Sequence, residues 1–239
     1  MGKEVKIGCC GFAKGRRDYF ARFRLVEIQQ TFYKPPQLKT ALHWREEAPQ
    51  DFEFTIKAWQ LITHHSQSPT YRKAGLKIPP EKEDCYGFFR PTAEVSSAWQ
   101  TTKEVATALK ARVIVFQCPA RFVENAENIQ NLRNFFQNLE RENFLFVWEP
   151  RGDWSEKVIR SLCEELDLIH CVDPFEGKPA LHGQPRYFRL HGGPGYRHRY
   201  SDEELKWLAG LAEEGGYFLF NNLTMYDDAL RFAEILGLR

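Results

Sequence analysis

Glu149 and Arg151 follow an apolar run, Phe144-Leu-Phe-Val-Trp148, that Pro150 and Gly152 cut short. Such a run reads as a buried strand whose carboxyl end delivers a carboxylate and a guanidinium to the surface of a sheet. Asp173 closes the next apolar run and His191 the one after it, while Lys57 ends an earlier one. Two carboxylates one strand apart suit hydrolysis of a glycosidic or phosphate ester bond, or a divalent cation. Glu149 is the first candidate for acid/base work, because Trp148 and Pro150 would desolvate it and raise its pKa. His191 offers a proton shuttle near neutral pH. A desolvated Lys57 would serve as a base, a Schiff-base former or a phosphate anchor. The catalytic candidates are therefore Glu149, Asp173, Lys57 and His191. Each competes with a plainer role. Glu149 and Asp173 would cap a helix or pair with Arg151 or Arg189, Lys57 would neutralise one of them, and His191 would be a hydrogen-bonded structural residue.

Residues that would hold a small polar or anionic ligand stand at similar places. They are Tyr33, His64, Gln117, Arg151, Arg189, Asn221 and Asn222. Arg197 and Arg199 lie in the basic aromatic run 196–200, which admits nucleic acid as a partner, although solvated surface is the simpler reading. No cofactor is required. A divalent metal is compatible with the two carboxylates, but His64 and His65 have no third ligand at helical spacing. Six cysteines form no C-x-x-C pair, so they read as buried thiols, with Cys10, Cys85 and Cys118 the set that a metal or cluster would need to converge.

These residues need elements that bring them together. Strands are expected over 5–10, 25–32, 52–57, 113–117, 144–148, 168–173, 187–191 and 217–222. Helices are expected over 37–47, 94–110, 124–141, 155–166, 202–214 and 227–236, with a helical turn over 19–23. Ser201 and Glu204 have the spacing of a capping box. Strands alternating with helices imply a parallel sheet, and eight such units in 239 residues favour a single-domain (β/α)8 TIM-like barrel over 1–239. The competing open doubly wound sheet would need a glycine-rich phosphate turn, of which Gly8-Cys-Cys-Gly11 is a poor version. Residues 58–91 form a long insertion suited to a lid, and the broken stretch 174–186 makes the crossover between strands six and seven degenerate. Alternation sets Glu27, Gln29 and Thr31, then Glu53, Thr55 and Lys57, then Tyr187, Arg189 and His191, on the axis-facing side. Buried charges must pair, so Glu27, Glu53, Lys57 and Arg189 are also candidates for a structural ion-pair network.

The net charge of +1 advertises no large field for nucleic acid or an anionic membrane. No apolar run approaches the ~20 residues of a membrane span, and the charged start goes straight into a strand. A cytoplasmic protein is expected, and no feature of the sequence fixes an oligomeric state.

Several stretches resemble the YecE-like family, a numbered domain of unknown function (family seventy-two). They are Val26-Glu-Ile-Gln-Gln-Thr-Phe-Tyr33, Phe54-Thr-Ile-Lys-Ala-Trp-Gln-Leu-Ile-Thr-His64, Phe116-Gln-Cys-Pro119, Trp148-Glu-Pro-Arg151, Arg189-Leu-His-Gly192 and Phe220-Asn-Asn222. They span nearly the whole chain in the expected order. Gln29 and Gln30 depart from the family's asparagine and serine. The resemblance implies a TIM-like barrel. Sugar-isomerase-like labels given to such proteins rest on fold analogy. The chemistry expected from the residues is hydrolase- or isomerase-type, on a polar, phosphorylated or sugar-like ligand. A metal-assisted nuclease and a non-catalytic sensor are the alternatives.

Overall fold

Eight short strands alternate between side chains that face an axis and side chains that face a ring of helices. The computed structural model describes residues 4–177 and 179–238; Met1 to Lys3, part of the charged start, lie outside the described residues. In chain order the elements are β1 (Val5–Cys10), α1 (Arg16–Phe20), β2 (Leu25–Ile28), α2 (Gln30–Tyr33), α3 (Leu38–Glu47), β3 (Glu53–Lys57), α4 (Gln60–Thr63), α5 (Pro69–Lys73) and α6 (Ala93–Leu109). Then come β4 (Val113–Gln117), α7 (Ala126–Gln137), β5 (Leu145–Glu149), α8 (Glu156–Leu166), β6 (Ile169–Val172), β7 (Tyr187–Leu190), α9 (Asp202–Ala212), β8 (Gly216–Phe220) and α10 (Met225–Ile235). Every strand pair is parallel and β8 returns to β1, closing the expected barrel.

Hydroxyl and amide side chains start several of the helices. Asn125, Ser155 and Ser201 accept from the backbone N–H three residues on, and Glu204 completes the capping box at Ser201. The outer layer is strongly aromatic. Phe116, Phe146, Trp99, Phe135 and Phe136 meet edge to face between β4, β5 and the helices α6 and α7. Each buried ring contributes roughly 2–3 kcal/mol by area alone. The inner layer is apolar at its waist, with Leu25, Val113, Val115, Val147, Ile169 and Leu219.

Polar groups occupy both ends of that waist. At the amino-terminal pole, Glu53 takes the Lys6 ammonium and the Tyr217 hydroxyl. The Tyr217 ring stacks on that of Tyr187, with centroids 5.3 Å apart. Glu53 is thus structural and separate from the mouth, whereas Glu27 pairs with Arg189.

One expectation needs correction. Strand two stops at Ile28 instead of running to Phe32, because the Thr31 hydroxyl donates to the carbonyls of Ile28 (2.8 Å) and Lys57 (2.6 Å) and the chain turns into α2. Gln29 and Thr31 therefore do not face the axis by strand alternation. The long insertion, the candidate lid, is anchored at its base. Gly87 and Phe89 donate to the carbonyls of Leu61 and Ile62, and Phe89 is fully buried. Gly87 has φ 76°, and a Cβ there would sit 2.2 Å from the carbonyl oxygen of His64. The β6–β7 crossover holds only a 3-10 turn, Pro174–Glu176, among the described residues. In the helix's place, residue 181 donates its N–H to His170 Nδ1.

Candidate active site

Register and alternation set Gln117 opposite Glu149 and carry Arg189 inward from β7. Arg189 is fully buried and spans the barrel. Its Nη1 donates to Glu149 Oε2 (2.5 Å) and Gln117 Oε1 (2.9 Å), while Nη2 pairs with Glu27 Oε1 (2.9 Å). Glu27 also accepts from the Tyr187 hydroxyl (2.8 Å) and from the Gln29 amide. One guanidinium thus ties two buried carboxylates from β2 and β5, a geometry that lysine's single nitrogen lacks. Among the described residues its Nε is buried without a hydrogen-bond partner.

Glu149 is the hub. Its Oε1 accepts from Arg151 Nε (2.7 Å) and lies 3.1 Å from His191 Nε2. Burial pushes the Glu149 carboxyl up, but Arg189, Arg151 and His191 more than offset it and hold it well below the usual range. The expectation of a raised Glu149 is therefore corrected. The expected desolvation is present, but the two guanidiniums overrule it, and Glu149 is a fixed anion. The imidazole of His191 has opposing demands on Nε2, since Arg151 Nη2 stands 2.6 Å away as a donor and Glu149 as an acceptor. A neutral ring with its lone pair at Nε2 accepts from Arg151, whereas a ring protonated there donates to Glu149. Asn221 lies 3.1 Å from Nδ1.

Lys57 is buried, with 6% exposure, and its nitrogen sits 3.6 Å from the centroid of the Phe32 ring. Among the described residues its ammonium makes no hydrogen bond or ion pair. Burial and the charge of Arg189 push it down to about 7, against the opposing pull of Glu149 and Glu27. His64 packs edge-on against the same Phe32 ring, and its Nδ1 lies 2.8 Å from the Thr63 hydroxyl. Burial, with Lys57 nearby, lowers it to about 3, so it is neutral. Tyr33 meets Phe32 edge to face and is partly exposed, where α2 ends.

The remaining candidates separate. Asp173 is committed to backbone, accepting from the N–H of His191 (2.7 Å) and of Phe175 (3.0 Å), and burial raises its carboxyl. It orients the strand-seven end and caps the turn that follows. Asn222 is not brought to the mouth. It has the outward parity of Phe218 and Phe220, and its amide nitrogen is spent on the His198 carbonyl, Thr224 and Asp228. Arg197 and Arg199 are exposed. Cys10 faces inward, while Cys118 faces the outer layer under Trp148, so the candidate cysteine set does not converge. Among the described residues no three His, Cys, Asp or Glu side chains are grouped to hold a metal ion. The donor set does not fit one either. Glu149 and Glu27 are neutralised by guanidiniums, and both Asp173 oxygens are taken by N–H groups.

A cavity of about 340 Å³ opens beside β5 and β6, lined by Glu149, Arg151, Trp154, Asp173, Glu176 and Leu181. It occupies the gap left by the degenerate crossover. A larger recess of about 800 Å³ lies at the opposite pole, around Lys6, Arg45, Glu53 and Tyr217. Size alone favours the second, but Lys6, Glu53 and Tyr217 satisfy one another there and Arg45 is tied to backbone carbonyls. The candidate residues gather at the carboxyl-terminal side instead. Sequence reasoning missed Phe32, the surface under the Lys57 ammonium, and Glu176, 3.5 Å from Arg151. No sequence signal distinguishes Phe32 from a core ring.

Residues 13–239 match the family described as protein of unknown function DUF72. The chain is similar to UPF0759 protein YunF of Bacillus subtilis (strain 168), 24% identical over 260 residues that cover 94% of this chain and 86% of that protein. Among solved structures it is similar to a DUF72 family protein from Enterococcus faecalis V583, with a TM-score of 0.72, 17% identity and 99% of each chain covered. It also resembles D-allulose 3-epimerase from Methylomonas sp. (TM-score 0.58, 11% identity, 98% of each chain). Endonuclease IV from Thermus thermophilus is similar at a TM-score of 0.53, with 13% identity and 99% of each chain covered. At these identities the structural likenesses show the barrel fold. No helix among the described residues is long and apolar enough to cross a membrane.

Proposed function

We propose, for a chain that belongs to the DUF72 family, that the carboxyl-terminal mouth is the active site of an isomerase- or hydrolase-type enzyme. It moves protons on a small, hydroxyl-rich ligand. The observation that carries this reading is Lys57, a buried amine with no hydrogen bond among the described residues, which changes charge near neutrality at the end of β3. Few structural roles require such a group. His191 is the second proton-carrying group, poised between the donor Arg151 and the fixed anion Glu149. Gln117, Asn221 and Tyr33 supply neutral polar contacts at the rim.

Charge favours a neutral sugar-like ligand over a phosphorylated one. The cations Arg189 and Arg151 already face Glu27, Glu149 and Glu176, so little positive charge is left to hold a phosphate. The fold shared with D-allulose 3-epimerase accords with that preference as analogy. Deuterium incorporation from D2O next to the carbonyl of aldoses and ketoses, followed by NMR, tests the reading. Wild-type protein is expected to catalyse exchange in at least one neutral sugar, and Lys57→Met to lose it by about 100-fold or more. A panel in which no sugar exchanges, and none raises the melting temperature, would sink the proposal.

A nucleic-acid partner is the second reading, supported by the exposed Tyr196, Arg197 and Arg199 on the loop after β7. It requires salt-sensitive binding of single-stranded oligonucleotides that Arg197→Ala with Arg199→Ala removes.

A further inference from the structure

We propose that Lys57 acts covalently, its ε-amine condensing with the ligand's carbonyl to form an imine. The inference rests on the mouth being an acid/base site for a carbonyl-bearing polar ligand, and goes beyond it by giving that chemistry its electron sink.

Removing a proton from carbon next to a carbonyl needs a group that accepts the electron pair left behind. The carboxylates of the mouth are neutralised by guanidiniums and do not fit a divalent cation. An iminium ion supplies what is missing, and Lys57 is placed to make one. Its nitrogen lies in the barrel interior, so it does not compete with bulk water for the ligand. Among the described residues it is not held in a hydrogen bond that attack would have to break. The side chain keeps 6% exposure, so the amine is not sealed off. A lone pair is available at neutral pH because burial and Arg189 lower its pKa to about 7.

The step balances without a redox partner. The ammonium first gives up a proton, and the free amine attacks the carbonyl carbon. A C–N bond forms and the C=O π pair moves to oxygen, which takes one of the two protons now on the tetravalent nitrogen and restores the nitrogen lone pair. Return of the proton first released by the ammonium to that hydroxyl expels it as water, and the nitrogen lone pair closes the C=N bond. Overall, one ammonium and one carbonyl give one protonated imine and one water. The product carries the same positive charge as the starting ammonium on the same nitrogen. The Phe32 face, 3.6 Å from that nitrogen, holds both alike. The C–H beside the iminium carbon is then acidic enough for a base of the mouth, for which His191 is the available imidazole.

Reductive trapping tests this. The full chain is incubated at pH 7 with glyceraldehyde or dihydroxyacetone and sodium cyanoborohydride, then mapped by peptide mass spectrometry. We expect an adduct on Lys57 that forms at least about 10-fold faster than on the exposed Lys39 and Lys206. Lys57→Arg keeps a cation and shows no adduct at that position, with an unchanged circular dichroism spectrum reporting that it is folded. Labelling confined to surface lysines overturns the imine. If deuterium exchange proceeds in the same preparation without a trapped Lys57, the imine fails and the acid/base reading stands. If neither exchange nor any sugar-induced thermal shift is seen, the acid/base reading fails and takes the imine with it.

Discussion

Lys57 and Glu149 are both buried ionisable groups, and their surroundings push them in opposite senses. Lys57 has no counter-charge close enough to offset burial, so its folded pKa drops to about 7. In the unfolded chain it holds its proton until near its ordinary value of 10.5. Between those limits the unfolded state binds more protons, so this group makes stability rise with pH; below about 7 the folded state bears the full cost of a buried ammonium. The charged and titratable groups facing it are Arg189, Glu149, Glu27, Cys10 and His64. Of these, Arg189 and Cys10 are pushed well up, Glu149 well down and His64 to about 3, and Glu27 is paired with Arg189. Lys57→Met is therefore expected to stabilise the protein more at pH 6 than at pH 9, by on the order of 2–3 kcal/mol in urea unfolding. A difference that does not change with pH would show that Lys57 does not titrate in this window. The sequence displayed both residues as strand-end candidates, and the alternation that turned Lys57, Arg189 and His191 inward was legible. The sign of the Glu149 shift was not. It depends on two guanidiniums, one from its own loop and one from β7, meeting a single carboxylate, and linear spacing does not encode that meeting. Asn222 was a different failure, because its parity with Phe218 and Phe220 was already on view.

At the scale of elements, the positions of the candidate residues depend on how the loops after neighbouring strands are sewn together. The turn after β5 is fixed to the loop after β4: Trp154 Nε1 donates to the Phe122 carbonyl (2.6 Å) and Glu124 N–H to the Asp153 carbonyl (3.0 Å). Gly152 lies in that seam, where a Cβ would stand 2.1 Å from the Phe122 carbonyl oxygen. Gly152→Ala must push the two loops apart, carrying Arg151 away from Glu149 and His191. We expect a loss of roughly 1–3 kcal/mol, measured as a melting temperature lower by several degrees, together with reduced sugar exchange in the protein that stays folded. An unchanged melting temperature would mean the seam yields freely. Gly152 was visible in the sequence only as a strand terminator, since its close neighbour is thirty residues earlier in the chain. The same limit hid α2. Thr31 reads as a strand residue by type, and only its bond to the Lys57 carbonyl of the neighbouring strand shows why the chain turns there and brings Phe32 under the amine.

The whole molecule is a parallel barrel whose interior is tied across by Arg189, linking β7 to Glu27 of β2 and Glu149 of β5. Arg189→Lys keeps the charge but cannot reach both carboxylates; Glu149 keeps Arg151, and a lysine turned to Glu149 leaves Glu27 buried without a charged partner. A cost of about 3–5 kcal/mol is expected in denaturant unfolding. A variant within about 1 kcal/mol of wild type would rule out a stabilising cross-tie. The barrel itself was legible from eight strand runs separated mainly by helices, because crossovers of that kind force parallel strands.

The tyrosine stack at the waist sets a further boundary. The Tyr187 hydroxyl is engaged upward with Glu27 and Thr55, that of Tyr217 downward with Glu53, and the two rings meet only face to face. Among the described residues no hydrogen bond bridges the phenols, so the polar groups above and below them form separate hydrogen-bonded sets. On the proposed reading of the mouth, a hydrogen ion released beside Lys57 or His191 has no direct side-chain path through the two phenols to Glu53, and is expected to be handed back to the ligand or to leave over the rim.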